Sequence, residues 1–197
     1  MFGLLLRSIQ AYLRGTFGPA LWARVLRAAG QPPEGFEPML PYDAAVVDRV
    51  LAAAAQELHR PAEAMLEDVG TFLVADPGHR ALRRLLRFGG ASFADFLHSL
   101  EELPDRARLS LPGLDLPQIA LTEAAPGRFR LAIASPLPAL FPVALGALRA
   151  MADDYGALVL IDLAAEGDRA TLTVQLLEAA HGAGRGFALA GGPADGR

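Results

Sequence analysis

The apolar residues of this 197-residue chain change their period part-way along it, and that change bounds the fold. As far as Leu103 they recur every three or four positions, the spacing of one face of a helix. From Pro117 they run in short blocks of strand length bounded by Pro and Gly. Phe2, Leu5, Ile9 and Leu13 fall on one face of a helix over 2–17, with Arg7, Gln10 and Arg14 opposite. Gly18 and Pro19 interrupt it. A short helix over 20–29 carries Leu21, Trp22, Val25 and Leu26 and ends at Gly30. Residues 31–42 read as a loop.

Asp43 is positioned to cap a helix reaching about His59, its carboxylate accepting from the exposed amides of the first turn. Pro61 suits the first turn of the next helix, which carries Met65, Leu66, Val69, Phe72 and Leu73. Another is expected over 77–88, ending at Gly89 and Gly90. Ser92 with Asp95 forms a capping box for a helix whose stripe is Phe93, Phe96, Leu97, Leu100 and Leu103. Pro104 sits at the end of that stripe. It lacks an amide proton and crowds the preceding turn, so the helix should kink or stop there. The runs 117–123 and 128–135 read as a hairpin turning at Pro126-Gly127. A helix over 138–155 closes at Gly156, and 157–163 with 170–177 make a second hairpin. Helices followed by ββαββ imply an α+β domain with an antiparallel sheet.

Composition narrows the function classes. All 18 basic residues are arginine, against 22 acidic ones, and the net charge of −4 argues against a nucleic-acid binder. There is no cysteine, which removes disulfides, thiolate catalysis and cysteine-ligated metals. The four histidines, His59, His79, His98 and His181, do not pair at metal-ligand spacing, so no metal site is expected. No nucleophile elbow, phosphate loop or dinucleotide fingerprint is present, and no catalytic residue is assigned. No stretch is long enough to span a bilayer, which needs about 20 apolar residues, and no export signal stands out. The expectation is a cytoplasmic protein that is not an enzyme.

Short fragments in a fixed order then resemble one family. Met1-Phe2-Gly3-Leu4, Ile9-Gln10, Phe17-Gly18 and Trp22 are similar to the opening of the haem-nitric-oxide/oxygen-binding (H-NOX) domains. Pro41-Tyr42-Asp43 resembles their P-Y-D helix entry, and Leu85 to Leu97 their L-L-x-x-A-G-x-S-x-x-x-F-L stretch. Pro112-Gly113 and Pro117 resemble their P-G-[ML]-x-x-P segment. The resemblance implies one domain over 1–178. A helical lobe would span about 1–60, and a lobe with a four-stranded antiparallel sheet and packed helices about 61–178. Residues 179–197 read as a flexible tail.

The resemblance also marks departures. In the family a histidine seven residues after the F-L pair ligates the haem iron; after Phe96-Leu97 that position is Pro104, which has no nitrogen free for iron. His98 lies six residues earlier, about 120° around the helix. The family's Y-x-S-x-R motif, which holds the haem propionates, falls on Ile133, Ser135 and Leu137, where the serine alone is kept. An uncompensated propionate beside two apolar groups would be costly. The expectation is therefore no haem. The vacated pocket would be walled by Leu5, Ile9, Leu100, Leu103, Pro104, Pro117, Ile133, Ser135 and Leu137, and would take an apolar ligand such as a fatty acid. Ser135, Arg128 or Arg130 would meet its carboxylate. The resemblance further implies a sensor that signals through a protein partner of the histidine kinase or cyclase type. The alternatives are a haem gas sensor with a non-standard iron ligand, and a ligand-free interaction module whose pocket has filled with side chains.

Overall fold

A computed structural model describes residues 2–110 and 116–182; Pro112-Gly113 and the last part of the expected tail lie outside the described residues. The amphipathic stripes produce α1 (Phe2–Phe17), α2 (Pro19–Ala28), α3 (Ala44–Leu58) and α4 (Ala62–Ala75). Leu6, Ile9 and Leu13 of α1 are fully buried. Gly18 takes φ +86°, a conformation that side chains resist, and Pro19 then opens α2 with its φ already helical. The 31–42 loop is fastened to α1 by Gln10, itself buried, whose Oε1 accepts from the Phe36 amide at 3.0 Å. Phe36 stacks edge-on against Trp22 and Tyr42.

Two details differ from the sequence expectation. Asp43 stands at the N-cap of α3 but makes no side-chain capping bond; its carbonyl accepts from Val46 at 2.9 Å instead. The helix expected over 77–88 divides into a 3-10 turn at Pro77–His79, where the Asp76 carboxylate accepts from Gly78, and α5 (Arg80–Arg87).

Ser92 and Asp95 form both bonds of the capping box that starts α6 (Phe93–Ser99). These bonds hold the Asp95 carboxyl below its ordinary range. The α-helix then tightens into a 3-10 turn at Leu100–Glu102 and resumes as α7 (Leu103–Ser110). The break falls in the turn before Pro104, where the ring crowds the preceding carbonyls.

Strands β1 (Gln118–Ala125), β2 (Arg128–Ala134), β3 (Leu158–Glu166) and β4 (Arg169–Glu178) make one antiparallel sheet in the order β1-β2-β4-β3. The hairpins turn at Gly127 and Gly167, both at positive φ. Helix α8 (Leu140–Tyr155) joins the two hairpins and ends at Gly156, φ +72°. The start of the expected tail is held, since the amides of His181 and Gly182 donate to the Gly156 carbonyl at 2.8 and 3.1 Å.

Apolar side chains gather in two clusters. One unites α1, α2, α3 and the first half of α4, and includes Leu137. The other unites the inner face of the sheet with α6, α8 and Val74 of α4. Helices α4 and α8 join them in backbone contact. A side-chain carbon on Gly70 would collide with the Val143 carbonyl, and one on Gly146 with the Glu67 carbonyl. Thr71 Oγ1 donates to the Gly146 carbonyl at 3.3 Å across the same joint.

Candidate functional site

The residues singled out by sequence fall on both sides of this joint. Leu5, Ile9 and Leu137 are at most 5% exposed and pack in the helical cluster. Leu100 and Ile133 are equally buried but belong to the sheet-side cluster, with Leu103 half-buried against it. Pro104 is buried in the first turn of α7, and Pro117 is half-buried just before β1. Ser135 is buried and already engaged: its Oγ accepts from the Leu137 amide at 3.1 Å, and its own amide donates to the Asp168 carbonyl at 2.8 Å. Arg128 and Arg130 alternate to the opposite face of β2 from Phe129, Leu131 and Ile133 and are exposed, away from Ser135.

The four histidines lie at or near the surface, each with its own local setting. His98 is more than half exposed; its Nε2 is 3.8 Å from a Glu123 carboxylate oxygen, and its ring stands edge-on to Phe129. His79 Nδ1 is 3.4 Å from Asp76. His59 ends α3 in the left-handed conformation, and His181 Nδ1 lies 2.7 Å from Glu178. Among the described residues no group of three or more His, Cys, Asp or Glu side chains is arranged to hold a metal ion. No described helix is long and apolar enough to cross a membrane.

Two features were not found by reading the sequence. The first is a charged cluster at the end of α8. Asp154 is 2% exposed and pairs with Arg83, and with Arg87 at 3.4 Å. The Arg87 guanidinium lies 4.0 Å over the Tyr155 ring, and the Tyr155 hydroxyl donates to the Gly90 carbonyl at 3.1 Å. Burial is the main cause of the raised Tyr155 pKa. The i, i+4 repeat of Arg83 and Arg87 on α5 was the available signal. The second is a cleft of about 750 Å³ between α3, the first turn of α4, the start of α8 and β3. Leu51, Leu66, Phe141, Leu145 and Leu163 form its floor, and Asp48, Glu63 and Glu67 stand among its lining residues. None of the sequence-selected wall residues lines it.

Comparison with known proteins places this geometry. An H-NOX protein from S. oneidensis in the Fe(II)NO ligation state superposes with a TM-score of 0.73 at 17% identity, over 89% of this chain and 99% of that one. A mutant H-NOX of T. tengcongensis gives 0.75 at 16% identity, over 91% and 99%. An unliganded Fe(II) H-NOX protein from K. algicida gives 0.74 at 14% identity, over 89% and 96%. These likenesses establish the fold. A soluble guanylate cyclase of Caenorhabditis elegans, gcy-31, is 22% identical over 117 residues, which are 59% of this chain and 17% of that protein. The sequence pattern of the haem-NO-binding family matches residues 2–162, and with the shared fold the chain belongs to that family.

Proposed function

We propose that this chain is a sensory domain of the H-NOX family that does not ligate haem and that acts through contacts with a protein partner. The reading rests on Pro104, buried at the position where the resemblance puts the iron-ligating histidine. Its nitrogen is a tertiary amide with no lone pair to offer a metal. The residues at the propionate positions do not fit haem either. Ile133 and Leu137 are each 5% exposed and packed in different clusters, and the Ser135 hydroxyl already accepts from a backbone amide. A propionate placed beside Ile133 and Leu137 would be desolvated without a cation, at a cost of several kcal/mol.

The burial of Leu5, Ile9, Leu100, Ile133 and Leu137 favours an interior filled by the chain's own side chains over an apolar ligand held among them. The family's role, sensing on behalf of a cyclase or kinase, then carries over as protein contact without catalysis by the domain itself. The apolar-ligand reading keeps one specific support, the cleft floored by Leu51, Leu66, Phe141, Leu145 and Leu163. The carboxylates around it suit a neutral or cationic amphiphile better than a fatty acid, whose headgroup they would repel.

The test is the absorption spectrum of protein purified after expression with a haem supply. No stoichiometric Soret band is expected; one that survives washing and gel filtration would overturn the reading and favour a non-standard iron ligand. Mass spectrometry of a denatured solvent extract decides the ligand question. A lipid recovered in molar amount would put the amphiphile reading first.

A further inference from the structure

Among the described residues no helix covers the outer face of the sheet. Alternation sends Phe129, Leu131 and Ile133 inward and leaves the opposite residues of the four strands on the outer face. Its composition is uneven in a directed way. The cross-strand register sets Arg130 of β2 beside Thr173 of β4, and Thr173 beside Asp162 of β3. The arginine and the aspartate thus share one row with a threonine between them. At about 4.8 Å per strand they stand roughly 10 Å apart in one copy, and neither forms an ion pair there. The next row is Ala132, Thr171 and Ala164, small side chains that leave the centre of the face shallow.

We propose that this face docks a second copy of the same chain, with Arg130 of each copy paired to Asp162 of the other. A two-fold axis running along β4 maps β2 onto the partner's β3 and leaves each row at its own level. Arg130 then faces Asp162 twice, Ala132 faces Ala164 twice, and the threonines of β4 meet their own equivalents. Leu177 of β4, 47% exposed, would also meet its equivalent near the axis. Arg169 lies on β4 at the far end of the face; it is 4.0 Å from Asp168 and opposite Glu166 in register, so its charge is countered within its own copy. Stacked sheets sit about 10 Å apart, a gap that an extended arginine and an aspartate close together. About an axis along β4 only β2, β4 and β3 overlap their counterparts, a face of roughly 15 by 25 Å, so a dimer buries about 750 Å² in all, the size of a transient contact. Association is therefore weak, in the micromolar range, and weakens as salt screens the pairs.

Sedimentation velocity of the full chain over a concentration series from about 1 to about 200 µM reads the association directly. The wild type should form a dimer with a micromolar Kd. Arg130→Asp and Asp162→Arg each set like charges opposite one another and should weaken association at least tenfold. Mixing the two variants sets aspartate opposite arginine at both positions and should restore a heterodimer. Both sites are exposed, so circular dichroism should show unchanged melting and keep the comparison valid. A wild type that stays monomeric across the series overturns the proposal, as does a dimer indifferent to both reversals. Single variants that dissociate while the mixture fails to recover would overturn the Arg130–Asp162 pairing.

Discussion

The joint between α4 and α8 and the segment from α6 to α7 form an instructive pair. At the joint, Gly70 and Gly146 let two helices touch through their backbones, and that contact ties the helical cluster to the sheet-side cluster. From α6 to α7 the chain does the reverse. A 3-10 turn at Leu100–Glu102 interrupts the helix, Pro104 follows, and Leu103 is left half-buried. The family's fold is thus retained where two glycine contacts join the two clusters. The resemblance puts the chain's departure from the family at Pro104, in this second segment. On the reading proposed above, the frame of the domain stands without the family's cofactor.

The joint can be broken by one methyl group. Gly146→Ala drives a side-chain carbon into the Glu67 carbonyl, and helix backbones cannot move apart without disturbing both clusters. A loss of about 3 kcal/mol or more in urea unfolding is expected, with Gly70→Ala similar. Next in size is Asp154→Ala, which leaves Arg83 facing the buried end of α8 without its carboxylate. The cost should be about 2 kcal/mol, and the double variant Arg83→Ala with Asp154→Ala should cost less than the sum of the two singles, because the pair acts as a unit.

In the α6–α7 segment the effects should be smaller and local. Ser92→Ala removes the hydroxyl that caps α6 and should cost about 1 kcal/mol. Its capping partner gives a pH signature. The Asp95 carboxyl is held below its ordinary range by its bonds to Ser92, so the stabilisation is present above the ordinary carboxylate pKa and is lost as pH falls through the depressed value. Acid titration of stability should therefore flatten in the Ser92→Ala variant. An effect as large as that of Gly146→Ala would mean that the segment, not the joint, carries the frame.

Much of this frame was legible in the sequence because local rules and tertiary packing agree. The α1 stripe, the Ser92–Asp95 box, the turns at Gly127, Gly156 and Gly167 and the break before Pro104 all follow from period, capping or backbone geometry. The rest depended on distance. Gly70 and Gly146 carry no local signal of their role, and only the approach of α8 to α4 explains them. The burial of Asp154 has no local signal either, because the arginines that pair with it sit on α5. Asp43 offered a cap that its backbone makes unnecessary. For the candidate site, the resemblance led to Pro104, Ile133, Ser135 and Leu137, but period could not divide Leu5, Ile9 and Leu137 from Leu100 and Ile133. That division follows from which helix packs on which. The outward placement of Arg128 and Arg130 was already implied by alternation with Phe129 and Ile133.

Thermal unfolding of the purified protein with and without added haem, followed by circular dichroism, shows whether the family frame stands without its cofactor. A ligand that binds the folded state at a hundred times its Kd adds about 2.7 kcal/mol, which in a domain of this size raises Tm by roughly 5–10 °C. One cooperative transition at the same temperature in both samples is the expected result. A haem-dependent rise of that size, accompanied by a saturable Soret band, would contradict it.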